Sequence, residues 1–189
     1  MPADSPADED LMERYRDGDA GAFDILYGRH KGGVYRYMLR QCGNRGVAEE
    51  LFQDVWMNLI RARASYAVTA KFTTWLYRLA HNRLVDHYRA QQGGVAQSLD
   101  AEDGPALDEI PAARADDPAV AVDIRQQAGR LLQLIGELPP SQREAFLLQQ
   151  ESDMSVEEIA RVTGVNRETA KSRLRYALAR LRAGLGEHR

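Results

Sequence analysis

Residues 155–182, SVEEIARVTGVNRETAKSRLRYALARLR, constrain the fold more than any other part of this chain. Ser155 and Glu158 have the S-x-x-E spacing of a capping box, which predicts that a helix begins here. Gly164 should end that helix, because glycine tolerates the left-handed conformation that closes a helix. Asn166 is a good N-cap for a second helix. Two short helices joined by a glycine turn are typical of a helix-turn-helix, which lays its second helix in the major groove.

The second helix of this motif combines an apolar stripe with a basic remainder. The stripe recurs at spacings of three and four residues: Ala170, Leu174, Ala177, Leu178 and Leu181. Residues 161–182 contain seven Lys or Arg and one acid, Glu168, for a net charge of +6, whereas the whole chain carries −3. The basic residues could simply form a helix face that is exposed to solvent. Positive charge concentrated on one motif of an acidic chain instead favours a surface that binds phosphate.

The composition excludes several classes of protein. With 189 residues, 44% hydrophobic and 28% charged, the chain has room for one or two small soluble domains. Its acidic start lacks the basic and apolar segments of a signal peptide, and no apolar run approaches the ~20 residues of a membrane span. Cys42 is the one cysteine, so an internal disulfide is excluded and a buried thiol is expected. We therefore expect a cytoplasmic protein with no membrane insertion.

The apolar periodicity predicts an all-α fold of two small helical domains joined by a flexible acidic linker. Residues 1–92 are expected to form the N-terminal domain, residues 93–118 the linker, and residues 119–189 the C-terminal helix-turn-helix domain. The linker contains seven acids, one arginine and three prolines, which gives it a net charge of −6. A plain solvated spacer is the alternative interpretation of this segment.

Three helices are predicted in the N-terminal domain. Asp19 can cap the first of them, and Gly32 and Gly33 should weaken its middle. The second helix, over residues 47–60, has an apolar residue every four positions, and the third covers about 74–89.

Basic and aromatic residues are interleaved around the third of these helices. Residues 61–89 contain six Lys or Arg against the single acid Asp86, a net charge of +5. The aromatic residues among them are Tyr66, Phe72, Trp75, Tyr77 and Tyr88. Cations that follow a phosphate backbone and rings that stack on unpaired bases are typical of single-strand binding. The same rings could instead form the core of the domain, and the sequence leaves both interpretations open.

Three motifs, in this order, resemble the extracytoplasmic-function sigma factors, the smallest group of the bacterial sigma-70 family. VAEELFQDVWMNLI (47–60) is similar to the helix with which they bind core polymerase, and KFTTWLYRLAHNRLVDHYR (71–89) resembles their promoter-binding helix. Residues 137–182 are similar to their C-terminal domain throughout. The resemblance covers residues 10–92 and 120–184.

This resemblance implies that the protein binds core RNA polymerase, brings it to promoters and promotes DNA melting. The implied partners are the clamp helices of the largest polymerase subunit and the flap, promoter DNA, and an anti-sigma factor. Contacts with core polymerase are implied for Glu50, Leu51, Gln53 and Asp54. Contacts with the −10 element are implied for Arg63, Tyr66, Lys71, Phe72, Trp75, Arg78, Asn82 and Arg83. Contacts with the −35 element are implied for Arg167, Glu168, Thr169, Lys171, Ser172, Arg173 and Arg175.

Roles within these sets follow from the same resemblance. Asn82 occupies the position of a base-contacting residue, whereas Arg78 and Arg83 are better assigned to phosphate. The acidic linker would lie in the polymerase cleft and RNA exit path, where its charge mimics nucleic acid. Residues 166–170 read Asn-Arg-Glu-Thr-Ala where the family more often has a Gly-Thr-Val step, so no particular promoter sequence is implied.

Other classes of function fit the sequence less well. We expect no catalytic residue, cofactor or metal site. The histidines lack the spacing of metal ligands, and the chain has no Gly-rich phosphate loop. The histidines are His30, His81, His87 and His188. The main alternative is a helix-turn-helix regulator that binds duplex DNA as a dimer and senses a signal with its first domain. A third is an interaction protein that acts as a decoy, against which the basic helix argues. Segment 61–89 separates these readings, because a strand-opening factor needs basic residues among aromatic ones and a sensor domain does not.

Overall fold

The computed structural model describes residues 5–93 and 118–186, and we call its two halves lobe one and lobe two. Lobe one contains α1 (Asp8–Arg16), α2 (Ala20–Cys42), α3 (Arg45–Ala62), a 3₁₀ turn (Arg63–Ser65) and α4 (Phe72–Gly93). Lobe two contains α5 (Pro118–Glu137), α6 (Pro140–Ser152), α7 (Val156–Thr163) and α8 (Arg167–Gly186). No strand occurs in these two ranges, and the predicted all-α fold class is confirmed. Residues 94–117, most of the predicted acidic linker, lie outside the described residues.

Polar side chains determine where α2 and α3 begin. Asp19 accepts a hydrogen bond from the Ala22 amide at 3.3 Å, and Asn44 accepts one from the Val47 amide at 3.0 Å. Between the two helices, Gly43 has a φ of 67°, the left-handed conformation that closes α2. Gly43 and Asn44 together form the tight turn that places α2 and α3 side by side.

Helix α2 runs without interruption through Gly32 and Gly33, where the sequence predicts a weak point. A Cβ atom at Gly33 would lie 2.8 Å from the Tyr77 hydroxyl and 3.4 Å from the Glu151 carbonyl oxygen. Glycine is therefore required here by the close approach of α4 and α6. Tertiary packing on α2 outweighs the low helix propensity of the glycine pair.

The sequence patterns do not predict α1, which is short and begins close to the start of the described residues. Its first turn carries Asp8, Glu9 and Asp10, whose negative charge is favourable at a helix N-terminus. Leu11 and Met12 are fully buried and anchor the helix in the core of lobe one.

The helix-turn-helix forms at the predicted positions. The Ser155 hydroxyl accepts from the Glu158 amide at 3.2 Å, and the Glu158 carboxylate accepts from the Ser155 amide at 2.8 Å, a complete capping box. Gly164 has a φ of 69°, and the Asn166 side chain accepts from the Thr169 amide at 2.8 Å. The buried residues of α8 are Ala170, Leu174, Ala177 and Leu181. The apolar stripe predicted from the sequence therefore packs α8 against α6 and α7.

Arg143 on α6 holds the end of α5 in place. Its guanidinium donates to the carbonyl oxygens of Ile135, Gly136 and Leu138 at 3.1, 2.6 and 3.0 Å. It also donates to the Gln41 carbonyl of lobe one at 3.3 Å. Burial lowers the pKa of Arg143 from its ordinary value. One side chain thus satisfies carbonyl groups that the end of a helix leaves without partners.

The two lobes pack against each other mainly along two pairs of helices, and α2 also contacts α5. Helix α2 contacts α6, and helix α4 contacts α7. Among the α4 residues that the sequence assigns to DNA, Arg78 contacts lobe two, whereas Asn82 is exposed.

Candidate nucleic-acid and polymerase-binding surfaces

The basic face of α8 is exposed near its N-terminal end. Lys171 and Arg175 are exposed, and the Arg175 guanidinium lies 5.0 Å from the centre of the Tyr176 ring. Arg167 is also exposed, but its guanidinium is bound by the carboxylates of Glu157 and Glu168. These carboxylates raise the pKa of Arg167, and the Arg167 guanidinium lowers the pKa of Glu157. An anion can therefore bind Lys171 and Arg175 more readily than it can bind Arg167.

A shallow groove joins this face to the start of α6. It is lined by Gln142, Asn166, Glu168, Thr169, Ser172, Arg173 and Tyr176. Four of the predicted −35 residues thus lie together: Glu168, Thr169, Ser172 and Arg173. Sequence reasoning missed Tyr176, which is 52% exposed, although its position one helical turn after Ser172 places it on the same face.

Most of the aromatic residues before and within α4 form the core of lobe one. Tyr66 is 4% exposed and Phe72 is fully buried, and Trp75 packs edge-on against Tyr66 with ring centres 4.9 Å apart. Burial raises the pKa of Tyr66 to about 12. The Phe72 amide donates to the Glu9 carboxylate of α1, which caps α4. In this conformation Tyr66 and Phe72 cannot stack on a base, and the core interpretation of these rings is the one that the geometry favours.

The polar residues assigned to the −10 element lie in three different environments. Asn82 is exposed, and Arg63 is exposed but donates to the Ile60 carbonyl at 3.0 Å. Lys71 and Arg78 are exposed but contact lobe two. Arg83 is half-buried and donates to the Asp54 carboxylate at 2.7 Å. Arg83 therefore binds α3 to α4, a structural contact that the sequence assignment to phosphate did not foresee.

The residues assigned to core polymerase divide in the same way. Glu50 and Gln53 are exposed on α3, whereas Leu51 is fully buried and belongs to the core. Asp54 is half-buried by its contact with Arg83. Of the four assigned residues, Glu50 and Gln53 are the ones placed to contact a protein partner.

Beside Gln53, α2 and α3 form an open groove with aromatic walls. It is lined by Tyr27, Lys31, Gly32, Tyr35, Glu49, Phe52 and Gln53. Tyr27 and Phe52 belong to a cluster of rings that continues into the core at Trp56. Partly exposed aromatic residues beside charged ones are typical of protein interfaces. No sequence pattern indicates this groove, because the apolar residues of α2 predict only a helix that packs in the core.

The described ranges contain neither a cluster of metal-binding side chains nor a helix suited to a membrane. No group of three or more His, Cys, Asp or Glu side chains in residues 5–93 and 118–186 could hold a metal ion. No helix in the same part of the chain has the length and apolar character needed to cross a lipid bilayer.

Comparison with known proteins identifies the family of this chain. The family model for Sigma-70 region 2 matches residues 26–93, and that for Sigma-70 region 4 matches residues 128–181. The RNA polymerase sigma factor CarQ of Myxococcus xanthus is 32% identical over 176 residues, covering 93% of this chain and 96% of CarQ. The ECF RNA polymerase sigma factor BldN of Streptomyces coelicolor is 30% identical over 184 residues, covering 97% of this chain and 67% of BldN.

Two solved structures share the fold. CnrH, in complex with the cytosolic domain of CnrY, has a TM-score of 0.65 at 21% identity and covers 97% of this chain and 100% of CnrH. The sigma factor RpoE of Bartonella quintana, in complex with the anti-sigma factor NepR, has the same TM-score and identity and covers 88% of this chain and 98% of RpoE. Together with the sequence relatives, these comparisons confirm the resemblance noted in the motifs: the chain belongs to the extracytoplasmic-function group of the sigma-70 family of RNA polymerase sigma factors.

Proposed function

We propose that this chain binds core RNA polymerase, directs it to promoters with −10 and −35 elements, and promotes DNA melting there. The observation that carries the proposal is the presence of regions 2 and 4 of the sigma-70 family in one chain, each with an exposed polar or basic surface. Lobe one supplies Asn82, Glu50 and Gln53, and lobe two supplies Lys171 and Arg175.

We assign the −35 element to α8. A helix in the major groove contacts base edges with its N-terminal residues, and the groove that holds Thr169, Ser172 and Arg173 lies at that end of α8. Lys171 would contact phosphate or a guanine edge, and Arg175, one turn later, would hold the backbone. The Tyr176 ring, whose centre lies 5.0 Å from the Arg175 guanidinium, adds a cation–π contact to this side chain.

We assign the −10 element to α4. The Asn82 amide has both a donor and an acceptor, as contact with the edge of an extruded base requires. Extraction of a base from the stack costs a few kcal/mol, which contacts with lobe one must offset. Lys71 and Arg78 would bind the phosphates of that strand. Because Tyr66 and Phe72 are buried, their role is to support α4 from within.

We assign core polymerase to the surface of α3 and its groove. Glu50 and Gln53 would face the clamp helices, where carboxylates can form charge-assisted hydrogen bonds with arginine. The partly exposed rings of Tyr27 and Phe52 would add apolar contact area beside them.

We also propose an anti-sigma factor as a partner. The support is that CnrH and RpoE, which share this fold, are each seen in complex with a second protein, and that NepR is an anti-sigma factor.

Run-off transcription with purified core polymerase tests the proposed function. The free chain should bind promoter duplex weakly, and addition of core polymerase should produce transcripts from defined start sites. The rival is a regulator that binds duplex DNA by itself. Tight, sequence-specific duplex binding by the free chain, with no polymerase-dependent initiation, would establish that rival instead.

A further inference from the structure

Tyr176 is a large aromatic ring on the exposed side of α8, among polar and basic side chains. It is 52% exposed. Ser172 and Thr169, four and seven residues earlier, lie on the same side of the helix and line the same groove. The buried apolar stripe of α8 lies on a different side. The ring is therefore part of the surface that the proposed function assigns to DNA.

Arginine side chains surround this ring. The Arg175 guanidinium lies 5.0 Å from the ring centre. Arg173 and Arg180 are three residues before and four residues after Tyr176, and residues at these spacings are neighbours on a helix surface. Cations around the ring attract a phosphate backbone. A duplex that binds these arginines through its phosphates would therefore bring its base edges close to Tyr176.

The apolar surface at Tyr176 is that of a single side chain. Among the described residues, α8 has two exposed large apolar side chains, Tyr176 and Leu185. They are nine residues apart, which places them on opposite sides of the helix and about 13 Å apart along its axis. A protein interface usually combines several apolar side chains in one patch. An isolated ring in a basic groove instead fits contact with one small apolar group.

The major groove of DNA offers one such group. Its base edges carry hydrogen-bond donors and acceptors, and thymine adds the C5-methyl group. Side chains such as Ser172 and Arg173 can form hydrogen bonds with the polar groups, whereas an aromatic ring makes apolar contact with the methyl group. The chemistry of Tyr176 therefore matches thymine rather than the other three bases.

We propose that Tyr176 is a further specificity residue of the −35 site, where its ring contacts the methyl group of a thymine while Arg175 beside it holds the phosphate backbone. The inference rests on the proposed function of α8 and adds to it the identity of one base. The contact is made by the ring, so the Tyr176 hydroxyl is not needed for it.

Deoxyuridine tests this contact, because it differs from thymidine only in lacking the C5-methyl group. Templates with a randomised −35 region are first selected for initiation by the chain together with core polymerase. Each thymine in the −35 region of the selected promoter is then replaced by deoxyuridine, one at a time. Fluorescence anisotropy of the labelled duplex measures the affinity of the assembled polymerase for each template.

The polymerase with the wild-type chain should lose about fourfold in affinity at one of these positions, as expected when one buried methyl-sized group is removed. With Tyr176→Ala the thymine promoter should bind more weakly, and deoxyuridine should cause no further loss at that position, because both changes remove the same contact. Tyr176→Phe should behave as the wild-type chain. Leu185→Ala, on the opposite side of α8, is the control and should keep the wild-type ratio of the two affinities.

Three results would overturn the inference. The first is a selected −35 region without thymine, and the second is an equal effect of deoxyuridine on the wild-type chain and on Tyr176→Ala. The third is a loss with Tyr176→Phe as large as that with Tyr176→Ala, which would assign the contact to the hydroxyl. Initiation judges the proposed function separately. A chain that initiates with core polymerase while giving one of these results keeps its proposed function, whereas a chain that does not initiate loses both.

Discussion

Lys171 and Arg167 both lie in the first turns of α8, but their surroundings differ. Lys171 is exposed, whereas the Arg167 guanidinium is held by Glu157 and Glu168. Binding of Arg167 to DNA would first require the loss of these contacts. The two side chains should therefore contribute unequally to −35 recognition.

We expect Lys171→Ala to weaken promoter binding by about 1–3 kcal/mol if Lys171 contacts a base edge, and Arg167→Ala to weaken it by less. Initiation by the reconstituted polymerase on a linear promoter measures both effects. A template with a premelted bubble should leave the Lys171→Ala defect unchanged, because melting does not replace a duplex contact. Asn82→Ala is the matched variant on lobe one, and its defect should be relieved by the bubble. Full rescue of Lys171→Ala by the bubble would contradict this division between the lobes.

At the same scale, Tyr66, Phe72 and Arg83 show what the sequence could not determine. All three belong to a segment whose charge and aromatic content indicate nucleic-acid binding. Whether a ring faces a base or the core depends on which neighbouring helix covers it, and α1, which the sequence patterns do not predict, is packed close to this segment. The contact of Arg83 with Asp54 could not be predicted from the sequence, because Asp54 is 29 positions away and on another helix.

Among the elements, those with a local signal were predicted well. Capping box, glycine turn and N-cap lie within 15 residues and fix α7 and the start of α8, so their chemistry needs no tertiary information. Helix α1 has no such motif, and its stability comes from the burial of Leu11 and Met12. The uninterrupted course of α2 at Gly33 likewise depends on contacts with other helices.

Arg143 gives a prediction at the scale of elements. Arg143→Met keeps much of the apolar length of the side chain but leaves the carbonyls at the end of α5 without their charged donor. We expect a loss of about 1.5–3 kcal/mol in the free energy of unfolding, measured by urea denaturation. Arg125→Met, at an exposed arginine of α5, is the control and should change stability by less than about 0.5 kcal/mol. Equal effects of the two variants would show that the contacts of Arg143 do not hold α5.

For the whole molecule, the packing of the lobes is the feature that sequence patterns do not contain. The contacts of Arg36 with Glu151 and of Tyr37 with Glu144 join residues 115 and 107 positions apart. Each of these residues, taken alone, has the character of an ordinary helix surface. The family, the all-α fold and the helix-turn-helix follow from local motifs, whereas the face that each lobe presents to the other does not.

The charge of the acidic linker gives a prediction at this scale. Replacement of five acids by Asn or Gln keeps the length of the segment and removes five negative charges: Asp100, Glu102, Asp103, Asp108 and Glu109. If the segment lies in a basic channel of the polymerase, affinity for core polymerase should fall, most strongly at low salt, where charges are least screened. The ratio of short to full-length transcripts should change as well. Equal core affinity and an equal transcript ratio across a salt series would assign the segment to a spacer, whose reach depends mainly on length.

The contact between Arg83 and Asp54 bears on where a transcript starts. This ion pair connects α4, which we assign to the −10 element, with α3, which we assign to polymerase. The two surfaces therefore cannot shift independently. An extruded base held on α4 would then lie at a constant distance from the catalytic centre of the polymerase, and the first nucleotide copied would be set by that distance. Asp54→Asn removes the negative charge that pairs with Arg83. Primer extension should then show initiation spread over adjacent nucleotides, in addition to any loss of yield. A single sharp start site at wild-type position would mean that packing between α3 and α4 alone keeps the distance constant.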